Sequence, residues 1–134
     1  FELTESLLIN DLKNSLRKIH ALSKLGISLS IDDFGTGYSS LNYLKKLPTK
    51  TIKIDRSFVL DIDTNSDDRS IVAAIIAMAN SLGKDVIAEG SETRAHIEAL
   101  RSLGCSKVQG YYFSKPLKIE MFKEFATNFK CDAT

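Results

Sequence analysis

The sequence predicts an α/β fold in which about five parallel strands form a sheet with helices outside it. Three predicted helices end in similar runs, 23–26, 80–83 and 101–104, and each run stands just before an apolar stretch. A glycine after a helix is a common stop signal, and a repeated helix-to-strand order requires crossover connections between parallel strands. In addition, each predicted strand offers a polar or charged residue near its carboxyl end, where such folds bind their ligands.

Local patterns place the elements in order. Alternating residues predict a first strand over 1–5, and Asn10 or Asp11 then caps a helix that runs to about Leu25. A buried strand over 27–31 leads into two aspartates and a glycine-rich loop, and a short helix follows until Pro48. Further strands are predicted over 51–55, 85–90 and 107–113, and further helices over 69–82, 92–103 and 119–125. The helix over 69–82 is expected to bury Ile71, Ile75, Met78 and Leu82.

The bulk composition narrows the classes of function. With 134 residues, 43% of them hydrophobic, the chain has enough apolar surface for one domain with a core. Its net charge of +1 gives no electrostatic reason to expect a nucleic-acid polymer or an anionic membrane as a partner. No run approaches the ~18 apolar residues of a membrane span, so no membrane contact is expected from this stretch. Cys105 and Cys131 are too few for a disulfide framework, which makes a reducing cytoplasm the expected location.

Asp32 and Asp33 form the most informative pair in the sequence. They follow a buried strand and precede Gly35 and Gly37. Two adjacent carboxylates at the end of a strand repel each other and lose hydration, and a divalent cation relieves that cost because it prefers carboxylate oxygens. The competing interpretation is ordinary turn chemistry, in which Asp33 starts an Asx-turn and Asp32 caps a loop.

The ends of the other strands add further groups to the same rim. Because parallel strands end at one edge of a sheet, the following side chains are expected to share a site: Glu2, Asp32, Asp33, Lys53, Asp55, Glu89 and Gln109. Several carboxylates with one lysine and one carboxamide suit a two-metal site for phosphoryl chemistry. Lys53 then either neutralises charge on the phosphate or the nucleophile, or serves as one partner of a structural ion pair. Glu89 is either a metal ligand or the general base.

Other polar and aromatic side chains have two interpretations each. Glu92 either caps the following helix or holds the 35–37 loop through its backbone amides. The aromatic run 111–113 alternates along a predicted strand, where packing in the core is favoured over stacking on a base. His20 and His96 lie in helix patterns away from the strand ends, so both are interpreted as surface or structural residues and no zinc site is expected.

Five motifs extend over nearly the whole chain. They are Glu2-Leu3-Thr4-Glu5-Ser6, Asp32-Asp33-Phe34-Gly35-Thr36-Gly37-Tyr38-Ser39-Ser40-Leu41, Lys53-Ile54-Asp55-Arg56-Ser57-Phe58-Val59, Ala88-Glu89-Gly90-Ser91-Glu92-Thr93 and Gln109-Gly110-Tyr111-Tyr112-Phe113-Ser114-Lys115-Pro116-Leu117. Together, and in this order, they resemble the signatures of the EAL domain, the family of cyclic-di-GMP phosphodiesterases. The resemblance implies a TIM-type (β/α)8 barrel. It also implies hydrolysis of one phosphodiester bond of cyclic di-GMP to linear pGpG with two Mg2+ or Mn2+ ions.

The resemblance also implies roles for individual residues. Glu2, Asp32 and Asp33 would bind metal, and Glu89 would be a ligand or the general base. Lys53 would position the attacking water and so take part in catalysis.

Around this centre the resemblance implies supporting residues. Glu92 would brace the loop that contains Gly35 and Gly37. Ser91 stands where valine is common in the family, and one small side chain between two glutamates should be tolerated. The expected substrate-binding residues are Gln109, Phe113 and Pro116.

The family's Glu-Ala-Leu motif and a later asparagine ligand do not occur in this chain, since the matching region would precede Phe1. We therefore expect residues 1–134 to be the carboxyl-terminal part of one EAL-type domain, a partial barrel that lacks three strands. Such a partial barrel exposes apolar faces and unpaired strand edges, so a homodimer is expected. The fragment alone is expected to be inactive.

A second function stays open at this point. A catalytically inactive EAL-type receptor of cyclic di-GMP, or a protein-interaction module, would keep the pocket without the reaction. The retained Asp32, Asp33, Lys53 and Glu89 favour the enzyme. An attached cyclase-type or sensor domain is compatible with the sequence, as is a membrane anchor elsewhere in a longer protein.

Overall fold

The computed structural model of the chain describes residues 1–5, 12–37 and 41–129. The strands in these ranges are β1 (Glu2–Thr4), β2 (Ser30–Phe34), β3 (Thr51–Ile54), β4 (Asp85–Glu89) and β5 (Val108–Gln109). The helices are α1 (Leu12–Lys24), α2 (Leu41–Leu44), α3 (Ser66–Ser81), α4 (Arg94–Ser102) and α5 (Ile119–Asn128), with a 3-10 turn at Arg56–Phe58. The predicted helix cap at Asn10 or Asp11 lies outside the described residues.

The strands form one parallel sheet in which each strand pairs with its neighbours in the sequence, in the order β1-β2-β3-β4-β5. Helix α1 joins β1 to β2, and α2, α3 and α4 lie in the three following connections. Sequential parallel pairing with a helix in every connection is the arrangement of a (β/α)8 barrel. The prediction of a partial barrel with about five parallel strands and outer helices is therefore confirmed.

Apolar residues that the strand register aligns across the sheet form the core. Ile31, Ile52 and Val86 lie side by side, and Ile54 lies beside Ala88. All five are buried, and full burial of one large aliphatic side chain contributes about 1.5–3 kcal/mol. Buried helix residues cover this layer: Ile19, Val72, Ile75, Ile76, Ala79 and Leu100. Among the described residues, no helix combines the length and the hydrophobicity that crossing a membrane requires.

Glycines end three helices, as predicted. Gly26, Gly83 and Gly104 have φ angles of 81°, 66° and 86°, which is the left-handed conformation of a residue that follows a helix. Within the described part of the chain, no neighbouring atom lies within 4 Å of where a side chain would begin at these three positions. The backbone conformation, and not a lack of space, therefore favours glycine.

Helix α3 begins earlier than predicted because Asn65 caps it. The Asn65 side chain accepts hydrogen bonds from the backbone amides of Asp67 and Asp68, which would otherwise lack partners. The buried side of the helix includes Ile75, as predicted. Ile71 is 40% exposed, so its predicted place in the core is wrong.

Strand β5 is shorter than the predicted range 107–113. After Gln109 the chain turns, because Gly110 packs directly on the backbone of Ser91. A Cβ atom at Gly110 would lie 2.0 Å from the Ser91 carbonyl oxygen. Tyr111 and Tyr112 lie beyond this turn and are 54% and 44% exposed. The expectation that these tyrosines pack in the core is therefore wrong.

Candidate active site

Four charged side chains lie at the carboxyl edge of the sheet on one face. Side chains alternate between the two faces of a strand, so the burial of Ile52 and Ile54 on one face of β3 places Lys53 on the other. Ile87 of β4 pairs with Lys53 and shares its face. Glu89 follows Ile87 by two residues, so it lies on that face as well. Glu2 and Asp32 bring β1 and β2 to the same place, since both carboxylates contact the Lys53 ammonium.

A β-bulge in β2 brings the second aspartate to this edge. Strand β2 continues past its predicted end at Ile31, and its register against β3 shifts between Ile31 and Phe34, so that Asp32 and Asp33 together oppose Lys53. In a regular strand two consecutive side chains would point to opposite faces. Asp33 instead has a φ of 53°, a left-handed conformation that costs a non-glycine residue about 1 kcal/mol. This local backbone strain accompanies the placement of the Asp33 carboxylate at the same edge as that of Asp32.

Lys53 is the centre of the ion-pair network. Its Nζ lies 2.6 Å from Glu2 Oε1, 2.6 Å from Glu89 Oε1 and 3.1 Å from Asp32 Oδ1. Burial acts to lower the pKa of Lys53, but hydrogen bonds to Glu2, Glu89 and Asp32 outweigh it and raise that pKa well above its usual value. Lys53 therefore stays charged. One ammonium cannot neutralise all the carboxylates that surround it.

The donor set fits a divalent cation. Asp32, Asp33 and Glu89 each offer a carboxylate oxygen, and these oxygens lie within 4.8 Å of one another. Desolvation and then repulsion from Asp32 and Asp55 raise the pKa of Asp33, and burial raises the pKa of Glu89 against the opposing effect of Lys53. Asp32 Oδ1 is buried, and the contact that the described residues give it is the Lys53 ammonium at 3.1 Å, which Glu2 and Glu89 share. Mg2+ and Mn2+ prefer such oxygen ligands, and a cation here would relieve the repulsion.

Glu2 lies outside this group of three. Its carboxylate contacts the Lys53 ammonium, and its side chain is 55% exposed. The predicted role of Glu2 as a metal ligand therefore stays a prediction.

The loop after β2 is braced by Glu5, and the expectation that Glu92 braces it is wrong. Glu5 is 2% exposed, and its Oε2 accepts hydrogen bonds from the amides of Gly35 at 3.0 Å and Gly37 at 3.2 Å. Glu92 instead faces Arg56 across 3.4 Å. The physical reason is strand order: β1 is the direct neighbour of β2, whereas β3 separates β2 from β4. The sequence does carry a signal for this role, because Glu5 is an acidic residue directly after β1.

A cavity of about 670 Å3 opens beside the acidic group. Asp33 and Glu89 line it, and the cavity has the size of a typical small-molecule site. The three predicted substrate-binding residues all line it: Gln109, Phe113 and Pro116. Residues without a predicted role in the site line it as well, among them the cations Arg56 and Lys115. The two cations give this otherwise acidic cavity positive charge suitable for an anionic ligand.

Residues 1–116 match the sequence model of the EAL domain. The chain belongs to the EAL domain family. This EAL domain is 47% identical over 132 residues to the cyclic di-GMP phosphodiesterase NbdA of Pseudomonas aeruginosa, a match that covers 98% of the chain and 17% of NbdA. It is also 47% identical over 119 residues to MucR of the same species, a bifunctional diguanylate cyclase/cyclic di-GMP phosphodiesterase, covering 89% of the chain and 17% of MucR.

Solved structures have the same fold as this EAL domain. The PaMucR phosphodiesterase in its c-di-GMP complex matches it with a TM-score of 0.87 and 46% identity, over 90% of this chain and 49% of that one. BlrP1 of Klebsiella pneumoniae, solved as a manganese/c-di-GMP complex, matches with a TM-score of 0.80 and 37% identity, over 86% of this chain and 29% of that one. The chain therefore spans about half of the solved PaMucR chain and a smaller share of the longer relatives.

Proposed function

We propose that this EAL domain takes part in hydrolysing cyclic di-GMP to linear pGpG, with two divalent cations, Mg2+ or Mn2+. The observation that carries the proposal is the convergence of Asp32, Asp33 and Glu89 within 4.8 Å, with Lys53 in contact with two of them. The relatives support the substrate, because NbdA is named a cyclic di-GMP phosphodiesterase and BlrP1 was solved with manganese and the same nucleotide.

The side chains of the acidic edge have separate tasks in this proposal. Asp32, Asp33, Glu89 and Glu2 would hold the cations, which when bound supply a reactive water near neutral pH and neutralise charge on the phosphodiester. As an alternative to binding a cation, Glu89 would accept the proton of the attacking water as the general base. The Lys53 ammonium would position this water by exchanging one of its three carboxylate contacts for it, and its charge would stabilise negative charge that develops beside it.

The cavity residues bind the nucleotide. Phe113 and Pro116 offer apolar surface to a base, and Gln109 offers a carboxamide near the reacting bond. Arg56 and Lys115 provide positive charge that attracts the dianionic substrate to the cavity. One water is consumed and one phosphodiester bond opens.

The number of ligands supports a site completed from outside this chain. Each Mg2+ or Mn2+ takes about six oxygen ligands. Three convergent side chains and a few waters do not readily supply that number for two ions. We propose that residues 1–134 are the carboxyl-terminal part of one EAL domain and that preceding strands with the Glu-Ala-Leu motif add ligands. The coverage of 49% of the PaMucR phosphodiesterase chain supports this division.

The assembly and location are part of the same proposal. We propose that the domain acts in the cytoplasm as a homodimer; where residues 1–134 stand alone, the unpaired edges of the partial sheet favour pairing. A cyclase-type or sensor domain attached in a longer protein has a parallel in MucR, which is named as bifunctional.

Replacing Asp33 by asparagine tests the proposed reaction. Asparagine tolerates the left-handed conformation but removes one anionic oxygen donor. We expect D33N to lower Mn2+-dependent pGpG formation by more than about 100-fold, since even outer partners of metal ligands change activity 10–100-fold. Chromatographic detection of pGpG, with and without EDTA, measures this in the 134-residue chain and in the longest natural polypeptide that contains it.

Asp61→Asn is the matched control, because Asp61 is exposed and lies outside the cavity. It makes the same chemical change and should leave the rate unchanged. Full activity of D33N would contradict the assignment of the ligands. Tight binding of cyclic di-GMP without hydrolysis in the longer polypeptide would contradict the enzyme and favour the receptor.

A further inference from the structure

His96 is a buried histidine that joins two loops at the carboxyl edge of the sheet. It belongs to the first turn of α4 and is 6% exposed. Its Nδ1 accepts a hydrogen bond from the backbone amide of Glu92 at 3.3 Å. Its Nε2 faces Asp63 Oδ1, in the connection before α3, at 3.7 Å. A neutral imidazole that accepts at Nδ1 carries its proton on Nε2, so the carboxylate of Asp63 favours the tautomer that this bond requires.

The contact is a variant of the capping box. Thr93 is the residue that caps α4, and its hydroxyl accepts a hydrogen bond from the His96 amide at 3.2 Å. In the usual box a Glu or Gln three residues after the cap reaches back to the amide of the cap itself. Here histidine occupies that position and reaches one residue further, to Glu92. The box thereby holds the loop before the helix as well as the helix end.

That loop carries the groups of the candidate active site. It begins at Glu89, and its backbone is held at Ser91 by two hydrogen bonds with the chain around β5, from the Ser91 amide to the Gln109 carbonyl and from the Tyr112 amide to the Ser91 carbonyl. His96 provides the partner of the next amide, that of Glu92. This bond is partly buried on the side of His96, where water is a poor substitute for the imidazole, so His96 completes the hydrogen bonding that fixes the loop.

We propose that His96 is a positioning residue of the active site, which holds the Glu92 amide and thereby fixes the loop that carries Glu89 and Glu92. The proposal rests on the proposed hydrolysis of cyclic di-GMP. Within residues 1–5, 12–37 and 41–129, the polar contacts of the His96 side chain are the Glu92 amide and Asp63, so it acts through the backbone of the loop.

The competing explanation is that His96 only stabilises the start of α4. Three variants separate the two. His96→Leu removes the acceptor but keeps a buried side chain, and His96→Gln keeps an acceptor of the kind that capping boxes normally use. Thr93→Ala is the matched control, because it removes the other half of the same box and leaves the Glu92 amide with its partner.

The first measurement is amide hydrogen exchange at Glu92 by NMR. We expect the exchange to become about tenfold faster in H96L and to stay near the wild-type rate in H96Q and T93A, as the loss of one hydrogen bond predicts. This measurement needs no activity, so it distinguishes failure of this proposal from failure of the proposed function. Unchanged exchange in H96L would overturn the proposal.

The second measurement is Mn2+-dependent hydrolysis in the polypeptide that is active, with kcat and KM determined separately. We expect kcat to fall about tenfold in H96L, to recover in H96Q and to be unchanged in T93A, although T93A and H96L both lower the free energy of unfolding. Equal losses of kcat in T93A and H96L, or no recovery in H96Q, would overturn the proposal. If H96L does not fold, Asp63→Asn replaces it, and faster exchange at Glu92 in D63N then supports the same arrangement while unchanged exchange overturns it.

Discussion

Two buried lysines at opposite edges of the same sheet have opposite surroundings. Lys53, at the carboxyl edge, is 6% exposed and contacts three carboxylates. Lys84, just before β4 at the amino edge, is 8% exposed and donates hydrogen bonds to the carbonyls of Leu47 and Thr49 and to the Thr49 hydroxyl. The pKa of Lys53 is raised, whereas burial among neutral partners lowers the pKa of Lys84.

The difference in the partners of the two lysines distinguishes the edge that carries the candidate active site from the edge that has only a structural role. At the amino edge every donor of Lys84 has a neutral acceptor, and the arrangement is complete without any further group. At the carboxyl edge Asp33 is strained, and the carboxylates of Glu2, Asp32 and Glu89 share a single ammonium. The excess of negative charge at this edge fits the cation site that we propose, whereas Lys84 at the amino edge has no such excess around it among the described residues.

Replacing Lys53 by methionine should give the largest effect. It leaves Glu2, Asp32 and Glu89 close together without their counter-charge, and removing one partner of a buried ion pair costs about 3–5 kcal/mol. We expect the free energy of unfolding to fall by about 3 kcal/mol in EDTA. Because a bound cation replaces the missing charge, Mn2+ should restore more stability to K53M than it adds to the wild type.

Urea unfolding with EDTA and with Mn2+ measures both quantities. Lys107→Met is the control, since the exposed pair of Lys107 with Asp85 at 3.0 Å should contribute no more than about 1 kcal/mol. An equal effect of Mn2+ on K53M and the wild type would show that no cation binds beside Lys53.

Replacing Lys84 by methionine tests the other edge. It leaves the carbonyls of Leu47 and Thr49 without their donor, which should cost about 2 kcal/mol and should not respond to Mn2+. The pKa of Lys84 is lowered on folding, so the folded chain binds fewer protons there than the unfolded chain does. The stability of the wild type relative to K84M should therefore rise with pH, in the window below the unfolded value of about 10.4.

Unfolding experiments between pH 7 and pH 10 on both proteins isolate this contribution. A relative stability that falls as pH rises would contradict the lowered pKa. A response of K84M to Mn2+ unlike that of the wild type would contradict the separation of the two edges.

Replacing Ser91 by alanine should give the smallest effect. Ser91 is fully buried against Gly110, and its hydroxyl has no hydrogen-bond partner among the residues that the structure describes. Removing an unsatisfied buried hydroxyl without adding bulk should raise the free energy of unfolding by up to about 1 kcal/mol. Thermal unfolding of S91A measures this, and a clear loss of stability would mean that the hydroxyl is satisfied in solution.

Local signals predicted most of the fold. The glycines at 26, 83 and 104 ended helices as expected, because the left-handed conformation after a helix is a property of the residue itself. The positions of Lys53 and Glu89 at the carboxyl ends of predicted parallel strands likewise indicated that they share one edge of the sheet. The turn at Gly110 was missed because it depends on the contact with Ser91, a residue in another part of the chain.

The missed features of the site have a similar cause. The bonds from Gly35 and Gly37 to Glu5 join residues 30 and 32 positions apart, and they exist because β1 lies beside β2. The pattern around Asp33 is equally typical of a turn and of a bulge, and only pairing with β3 distinguishes them. Residue types therefore indicated the chemistry, while strand order decided which residues support it.

The bulge in β2 has a genetic consequence. Opposite β3, the strand would alternate regularly if Asp33 were absent, with Ile31 and Phe34 keeping their buried partners and Asp32 still facing Lys53. The codon for Asp33 therefore adds one residue, and with it a second carboxylate, to an otherwise regular strand. Its in-frame deletion would remove a proposed ligand while leaving the hydrophobic layer in phase. A single mutational event could thus remove the proposed reaction without disturbing the core of the sheet.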